Sequence, residues 1–291
     1  MEIFEKAYAK VNLSLDVISR MEDGYHSMEM VMQSVSLCDD VHITLNASGK
    51  VFLRTNLSYL PSDSRNIAVK AAEVFFSEAG IKDIGAEIKL VKRIPVCAGM
   101  GGGSSDGAAV LRALNRHFGH VFTGPELEGL GARLGSDVPF CVYGGTDFCT
   151  GRGEKLTVLK PMPDCHMLIC KPRFAVSTQE LFSKIDCRRI KCRPATKGML
   201  SAIKDGSLPG IARRMYNVFE DVLGRGRESV DTIKSVMLDY GAMGAVMTGT
   251  GSAVFGIFAD SARAAECMET LKDDFPECFL EKPVKRISES E

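Results

Sequence analysis

The sequence predicts an α+β fold built from two domains. Its 291 residues are roughly twice the length of a typical domain of about 150 residues. Strand-like and helix-like segments occur in both halves, without the regular strand–helix alternation of a parallel sheet. A Lys-Pro-Met-Pro run at 160–163 is typical of a linker. We therefore expect an N-terminal domain at residues 1–158 and a C-terminal domain at residues 159–291.

The N-terminal half is predicted to be rich in strands. Alternating apolar residues predict strands at 7–18 and 86–92. Residues 31–45 and 50–54 are interpreted as further strands, interrupted by Asp39-Asp40 and by the turn-like 46–49. Apolar residues at helical spacing predict two helices, at 66–79 and 110–118.

The C-terminal half is predicted to alternate strands with more helices. Short apolar runs predict strands at 167–170, 245–248, 253–257 and 278–282. Helical spacing predicts helices at 178–185, 197–203, 208–222, 229–240 and 261–275.

The composition is that of an ordinary globular protein, with 45% apolar and 25% charged residues. The formal net charge of −1 provides no overall positive field to hold nucleic acid or an anionic membrane. The most apolar stretch, 241–259, is interrupted by polar residues and glycines, unlike a membrane span. We therefore expect neither nucleic acid nor a membrane as a partner.

The cysteines and the N-terminus predict a cytoplasmic protein. The ten cysteines include no Cys-x-x-Cys pair, so a zinc ribbon or a thioredoxin-like site has little support. Most are expected to be buried thiols in a reducing cytosol. Residues 1–6 carry acids where a signal peptide would place bases before a long apolar run.

Residues 95–109, PVCAGMGGGSSDGAA, are the strongest chemical signal and are called the glycine loop below. Glycines allow positive φ and close backbone approach, so successive N–H groups can converge on an anion where the next helix begins. The pattern lacks the Gly-Lys-Ser/Thr of a Walker loop and the βαβ setting of a dinucleotide fingerprint. It predicts a phosphate site, with a flexible linker as the alternative.

Three other segments stand out, although each has an ordinary explanation when taken alone. They are AKVNLSLDV at 9–17 with GYH at 24–26, GSDVPFCVYGGTDFCTGRGE at 135–154, and MTGTGSAVFG at 247–256. Lys10 could be a solvated charge on an edge strand, and Asp137 could cap a helix. The glycines of the last segment could form a tight hairpin.

Taken together, these segments resemble the GHMP small-molecule kinases over nearly the whole chain. The glycine loop is similar to the superfamily pattern Pro-x-x-x-Gly-[Leu/Met]-Gly-Ser-Ser-Ala-Ala. The resemblance narrows to the branch that acts on 4-diphosphocytidyl-2-C-methyl-D-erythritol through AKVNL at 9–13, DGYH at 23–26, GSDVPF at 135–140 and GRGE at 151–154. Gly107 stands where this family usually has alanine, and Cys97-Ala98 replaces the more common pair of small residues.

The resemblance implies a fold, a reaction and a catalytic pair. The N-terminal domain would be a ribosomal-protein-like α/β domain, and the C-terminal domain would be ferredoxin-like α+β. The implied reaction transfers the γ-phosphoryl group of ATP, with Mg²⁺, to the substrate 2-hydroxyl in the non-mevalonate isoprenoid pathway. Asp137 would be the general base, and Lys10 would keep it ionised and stabilise developing negative charge.

The resemblance also implies how phosphate groups are bound. Thr178 would contact the substrate diphosphate. Thr248 and Gly249 would bind substrate as part of a turn that closes against the glycine loop and the substrate, with a simple hairpin as the alternative. The ATP phosphates would be held by loop residues Pro95, Gly99, Met100, Gly101, Gly102, Gly103, Ser104 and Ser105. The sequence does not choose between the two serines for the hydroxyl that meets phosphate or metal.

Recognition of the cytidine end of the implied substrate needs aromatic surfaces for stacking and hydrogen bonds to the edge of the base. Tyr25 would stack on one face of the cytosine, His26 would read its hydrogen-bonding edge, and Asn12 would bind nearby atoms. Phe182 either stacks on the opposite face or is a core residue of an amphipathic helix.

Three rival functions stay open from the sequence. RNA binding is kept open by a basic set of residues, Arg133, Arg152, Lys184, Arg188, Arg189, Lys191, Arg193 and Lys197. A GHMP kinase for homoserine, mevalonate or a sugar is disfavoured by the Gly-Tyr-His segment. A silent ATP sensor is disfavoured by the presence of both Lys10 and Asp137. The expected assembly is a monomer or weak homodimer.

Overall fold

The computed structural model of the chain describes residues 2–187 and 189–287. Arg188 of the basic set lies outside these residues, as do 288–291 of the predicted C-terminal domain. The described residues form two sheets with helices packed against them, which confirms the α+β prediction. Nearly all of the first sheet comes from residues before 159 and all of the second from residues after it. The boundary at residue 158 itself stays a prediction.

A long antiparallel hairpin forms the centre of the first sheet. Its strands are β1 (Glu2–Arg20) and β2 (His26–Asn46). The outer strands are β3 (Val51–Thr55), β4 (Gly85–Val91), β5 (Thr146–Gly151) and β6 (Lys155–Val158). β4 lies between β3 and β2, and β5 pairs with the other half of β2 and with β6.

Four helices cover one face of this sheet and close its core. They are α1 (Ile67–Glu78), α2 (Gly102–His117), α3 (Gly124–Ala132) and α4 (Val138–Tyr143). Phe75 of α1 and Leu111 of α2 are fully buried in the same cluster as Ile43 of β2. Burial of such side chains, each worth about 1.5–3 kcal/mol, fixes α2 and α4 against β1 and so positions the residues at their N-termini.

The second sheet is antiparallel and buried on both faces. Its order is β11 (Glu277–Glu281), β7 (His166–Lys171), β10 (Val254–Phe258) and β9 (Gly244–Met247). The helices of this half are α5 (Thr178–Lys184), α6 (Thr196–Lys204), α7 (Leu208–Ala212), α8 (Arg227–Asp239) and α9 (Ser261–Lys272). α8 and α9 pack with one face. The other face shares a cluster with α6, α7 and strand β1.

This shared cluster joins the two halves and decides which way the β1 side chains point. Ala9, Val11 and Leu13 of β1 are fully buried in it. Because successive side chains of an extended strand alternate between faces, Lys10 and Asn12 point in the opposite direction. The same apolar contacts that join the halves therefore aim two polar residues at the space between them.

Three predicted boundaries of β2 and α2 were wrong. β2 runs without interruption through Asp39 and Asp40, since Asp39 is fully buried and ion-paired inside the protein. It also begins at His26, five residues before the predicted start. α2 begins at Gly102, within the glycine loop, because its first turns consist of small residues that carry no apolar period.

The predicted helix at 208–222 was also wrong. α7 ends at Ala212, and the short strand β8 (Tyr216–Asn217) pairs in parallel with β1 before a 3-10 turn at Val218–Val222. The Asn217 amide donates to the Met247 and Gly249 carbonyls at 2.7 Å each, which holds this segment extended. β5, β6, α3 and α4 lacked a sequence prediction, and none of them is longer than nine residues.

No helix among the described residues is long and apolar enough to cross a membrane.

Candidate active site

A cavity of about 880 Å³ lies between the two halves. Its wall is built from β1, the β1–β2 turn, the glycine loop, the start of α4, α5 and the turn after β9. The predicted site residues on this wall are Lys10, Asn12, Tyr25, His26, Gly99, Gly101, Ser104, Asp137, Thr178, Phe182 and Gly249. Segments distant in the sequence thus meet at one cavity large enough for small-molecule substrates.

Lys10 and Asp137 form an ion pair on this wall. Lys10 Nζ lies 3.3 Å from Asp137 Oδ2 and donates to Asn12 Oδ1 at 2.9 Å. The lysine is 4% exposed, whereas the aspartate side chain is 31% exposed. Asp137 stands at the N-terminus of α4 but makes no capping bond among the described residues. The carboxylate is therefore both held by a buried cation and open to the cavity.

The glycine loop leads directly into the N-terminus of α2. Gly99 and Gly101 have φ of +74° and +68°, and an ideal Cβ on Gly99 would lie 2.2 Å from the Thr248 carbonyl oxygen. Gly101 is the N-terminal cap and has no side chain to satisfy the first amides of the helix. Those N–H groups have no acceptor within the helix, so they can bind an anion.

The loop side chains divide between the cavity and the interior. Ser104 lines the cavity, whereas Ser105 is buried and its hydroxyl donates to the Tyr8 carbonyl at 2.6 Å. Pro95 and Met100 are also buried, and the Met100 carbonyl accepts from the Lys10 amide at 3.0 Å. Gly102 and Gly103 begin α2 without lining the cavity. Ser104 is thus the loop hydroxyl that faces a ligand.

Aromatic side chains gather at the other end of the cavity. The His26 and Phe182 rings lie 5.1 Å apart, and Phe182 also packs edge-on against Phe219 at 4.9 Å. Tyr25 is 57% exposed. Burial lowers the pKa of His26, and the Arg20 guanidinium acts in the same direction. The imidazole is therefore neutral at pH 7, with one nitrogen to donate and one to accept a hydrogen bond.

The turn after β9 closes against the glycine loop. Thr248 Oγ1 accepts from the Asn12 amide at 3.0 Å, and the Ala253 amide donates to the Ala98 carbonyl at 3.1 Å. Thr248 is fully buried and so does not line the cavity, whereas Gly249 does. Thr178 Oγ1 lies 2.9 Å from Thr250 Oγ1 across the cavity mouth.

A buried charge cluster beneath the glycine loop was missed in the sequence. Lys92 Nζ bonds to Asp106 Oδ2 at 2.6 Å and also to Asp39. Asp39 in turn accepts from the Ile94 amide at 2.8 Å. Burial raises the pKa of Asp106 to about 7, against the opposing effect of Lys92. The signal available in the sequence was that Asp39, Lys92 and Asp106 are charged residues beside apolar or small residues.

Most members of the basic set are engaged with acids. Arg133 bonds to Glu78 at 2.7 Å, and Arg193 bonds to Asp16 at 2.7 Å. Further ion pairs join Arg152 to Asp23, Lys184 to Glu180, and Arg189 to Asp186. Five members of the set are therefore paired with acids among the described residues.

Comparisons with known proteins agree with this geometry. Residues 66–145 match the GHMP kinases N terminal domain, and residues 199–277 match the GHMP kinases C terminal domain. A 4-diphosphocytidyl-2-C-methyl-D-erythritol kinase of Clostridium tetani is 42% identical over 279 residues, covering 96% of this chain and 99% of that protein. One from Caldicellulosiruptor saccharolyticus is 42% identical over 275 residues, covering 94% of each.

Solved kinase structures share this fold. A crystal structure of 4-(cytidine 5'-diphospho)-2C-methyl-D-erythritol kinase superimposes with a TM-score of 0.81 at 31% identity, covering 97% of this chain and 99% of that one. A homoserine kinase from Cytophaga hutchinsonii has a TM-score of 0.75 at 20% identity, covering 99% of this chain and 96% of that one. At that identity the second likeness shows the fold alone.

The chain belongs to the GHMP kinase family, whose two domain models match it in order. Within that family it belongs to the 4-diphosphocytidyl-2-C-methyl-D-erythritol kinases, which it matches over nearly its whole length. Membership confirms the two-domain fold expected from the sequence motifs.

Proposed function

We propose that this protein phosphorylates the 2-hydroxyl of 4-diphosphocytidyl-2-C-methyl-D-erythritol with ATP. The observation that carries the proposal is the Lys10–Asp137 pair, which stands between the anion-binding glycine loop and the aromatic end of one cavity. A phosphoryl-transfer enzyme needs a proton acceptor at the point where its two substrates meet. The names of the relatives supply the substrate, and the chemistry of the cavity wall fits it.

Asp137 is assigned the general-base role. A tertiary hydroxyl is a weak and crowded nucleophile, so a carboxylate must accept its proton as the new bond forms. Lys10, held by Asn12, keeps the carboxylate ionised and oriented and stabilises negative charge on the transferred group. Both residues reach the site from buried elements, so little reorganisation is required during the reaction.

The glycine loop is assigned to bind the ATP phosphates. The first amides of α2 and the Ser104 hydroxyl are its donors, since the Ser105 proton is already given to Tyr8. Mg²⁺ would neutralise the phosphate charge when bound with the nucleotide. Hydroxyl oxygens suit this ion, and Ser104 presents one on the cavity wall.

The aromatic end of the cavity is assigned to bind the cytosine. A neutral His26 can donate to the ring nitrogen N3 or accept from the N4 amino group, as the cytosine edge requires. Phe182 and Tyr25 offer ring faces, with Phe182 backed by Phe219. Thr178 at the cavity mouth is assigned the diphosphate between the two ends. We place the enzyme in the cytoplasm as a monomer or weak homodimer.

A coupled ADP-release assay tests the proposed function. We expect turnover with 4-diphosphocytidyl-2-C-methyl-D-erythritol and none above background with homoserine, mevalonate or galactose. If the protein turned over only homoserine, mevalonate or galactose, the proposed substrate would be wrong, although the assignment as a kinase would stand. RNA binding that falls steeply with salt and does not require ATP would support the rival class instead.

Replacing Tyr25 with alanine is expected to raise the KM for the cytidylyl substrate by about tenfold or more. Loss of one aromatic–base contact weakens binding by about 1–3 kcal/mol. The KM for ATP should change less than twofold, because the glycine loop is at the other end of the cavity. Steady-state kinetics with each substrate varied in turn measure both values.

Tyr59→Ala is the matched control for this variant, since Tyr59 is 68% exposed and lies away from the cavity. Equal increases in both KM values for Tyr25→Ala would argue against stacking on the base.

A further inference from the structure

The turn between β5 and β6 carries an arginine onto the exposed ring of Tyr25. The Arg152 guanidinium carbon lies 3.9 Å from the centre of that ring. The same guanidinium is ion-paired with Asp23 through Nη2. The other oxygen of Asp23 accepts from the Tyr25 amide at 3.0 Å. Arg152 thus contacts the tyrosine ring directly and its backbone through one shared carboxylate.

The turn that presents Arg152 is itself fixed. The Arg152 amide donates to Glu154 Oε2 at 2.6 Å, and Gly151 and Gly153 have φ of +71° and +119°. An ideal Cβ on Gly153 would lie 3.9 Å from Asp137 Oδ1. The turn therefore runs from beside the catalytic carboxylate to the aromatic end of the cavity. The arginine is placed by the hydrogen bond of its amide and by its ion pair with Asp23.

We propose that Arg152 is a positioning residue that holds the Tyr25 ring ready for the base of the substrate. The proposal rests on the proposed function, in which Tyr25 is a stacking surface. Tyr25 is 57% exposed on a turn, so its side chain would otherwise sample several rotamers that substrate binding would have to restrict. A guanidinium over one ring face removes part of that freedom before the substrate arrives.

The alternative is that Arg152 reaches the substrate diphosphate itself, since it also lines the cavity. The two roles differ in what they require of the ligand. A positioning role affects every ligand that carries the base, including one without phosphate. A direct contact affects only ligands that carry the diphosphate. Cytidine and cytidine diphosphate (CDP) are therefore the probes that separate them.

The experiment measures the affinities of cytidine and CDP by titration calorimetry, with steady-state kinetics alongside. We expect Arg152→Met to weaken the binding of both cytidine and CDP by about fivefold, and to raise the KM of the cytidylyl substrate by the same factor. The kcat and the KM for ATP should stay within twofold. Arg152→Lys keeps the charge but lacks the planar group, so its affinity for both probes should lie between those of the wild type and Arg152→Met. Arg133→Met is the control, being an ion-paired surface arginine far from the ring.

Weaker CDP binding with unchanged cytidine binding would overturn the proposal in favour of a phosphate contact. Unchanged affinity for both would overturn it as well.

A second measurement separates this proposal from the proposed function. In the ligand-free protein, the Arg152 side-chain NMR signals should show a ring-current shift that Tyr25→Leu removes. Shifted signals in a wild type that binds neither probe would contradict the proposed function and the base-positioning role with it. Binding of both probes without any shift would contradict the role of Arg152 alone.

Discussion

Asp137→Asn is expected to lower kcat by about 100-fold to 10,000-fold while ATP still binds. The amide is nearly the same size as the carboxylate but cannot accept the proton of the substrate hydroxyl, and general-base contributions are of this order. The Lys10 ammonium keeps its bond to Asn12, so the strand and its buried cation should stay in place. Initial-rate kinetics give kcat, and calorimetric titration with a non-hydrolysable ATP analogue gives nucleotide affinity.

Asp239→Asn supplies the control for this change, because Asp239 is exposed at the end of α8 and far from the cavity. It should behave as wild type in both measurements. Unchanged turnover in Asp137→Asn would remove the residue from the general-base role. A parallel loss of turnover and of ATP affinity would point instead to damage at the glycine loop, because α4 packs against α2, which begins in that loop.

The sequence was informative wherever local pattern and tertiary environment agree. Alternation along 7–18 predicted β1, and helical spacing predicted α1, because these elements bury one regular face. Resemblance to the family motifs brought Lys10 and Asp137 together across 127 positions, and the structure places their side chains 3.3 Å apart. No local property of either residue implies that contact.

The sequence failed where a residue's environment is set by distant parts of the chain. Asp39 looked like a break in a strand because an acidic residue is usually solvated. Its burial depends on Lys92, which lies 53 positions away. Asn217 likewise interrupts an apolar helical pattern through its bonds to carbonyls of the turn after β9. Such polar contacts override local propensity, and only the folded chain shows them.

Lys92→Met is expected to cost about 3–5 kcal/mol of folding free energy at neutral pH. The ammonium bonds both Asp39 and Asp106, and its removal leaves two buried carboxyl groups without a cation. Methionine matches the stem in length, so the lost charge should outweigh lost packing. Urea denaturation at pH 5, 6, 7 and 8 measures the change. The exposed Lys89→Met, three positions earlier in the chain, is the control.

The pH dependence of Lys92→Met distinguishes a charge effect from a cavity. Burial already raises the pKa of Asp106 to about 7, from 3.8 in the unfolded chain, so the folded state binds more protons between these values. Stability associated with this group is therefore present below about pH 4 and is lost as pH rises through 7. Without the ammonium the folded-state pKa rises further, so Lys92→Met should approach wild type at pH 5 and fall furthest behind at pH 8.

Asp106→Asn in the Lys92→Met background tests which carboxyl group is responsible. Removing one of the two acids should restore part of the stability, with the largest gain at pH 8.

The charge cluster also supports the start of α2, because an ideal Cβ on Gly102 would lie 3.4 Å from Lys92 Nζ. The KM for ATP should accordingly rise in Lys92→Met more than the KM for the other substrate. A loss of stability equal at every pH would show that Lys92 acts through packing alone.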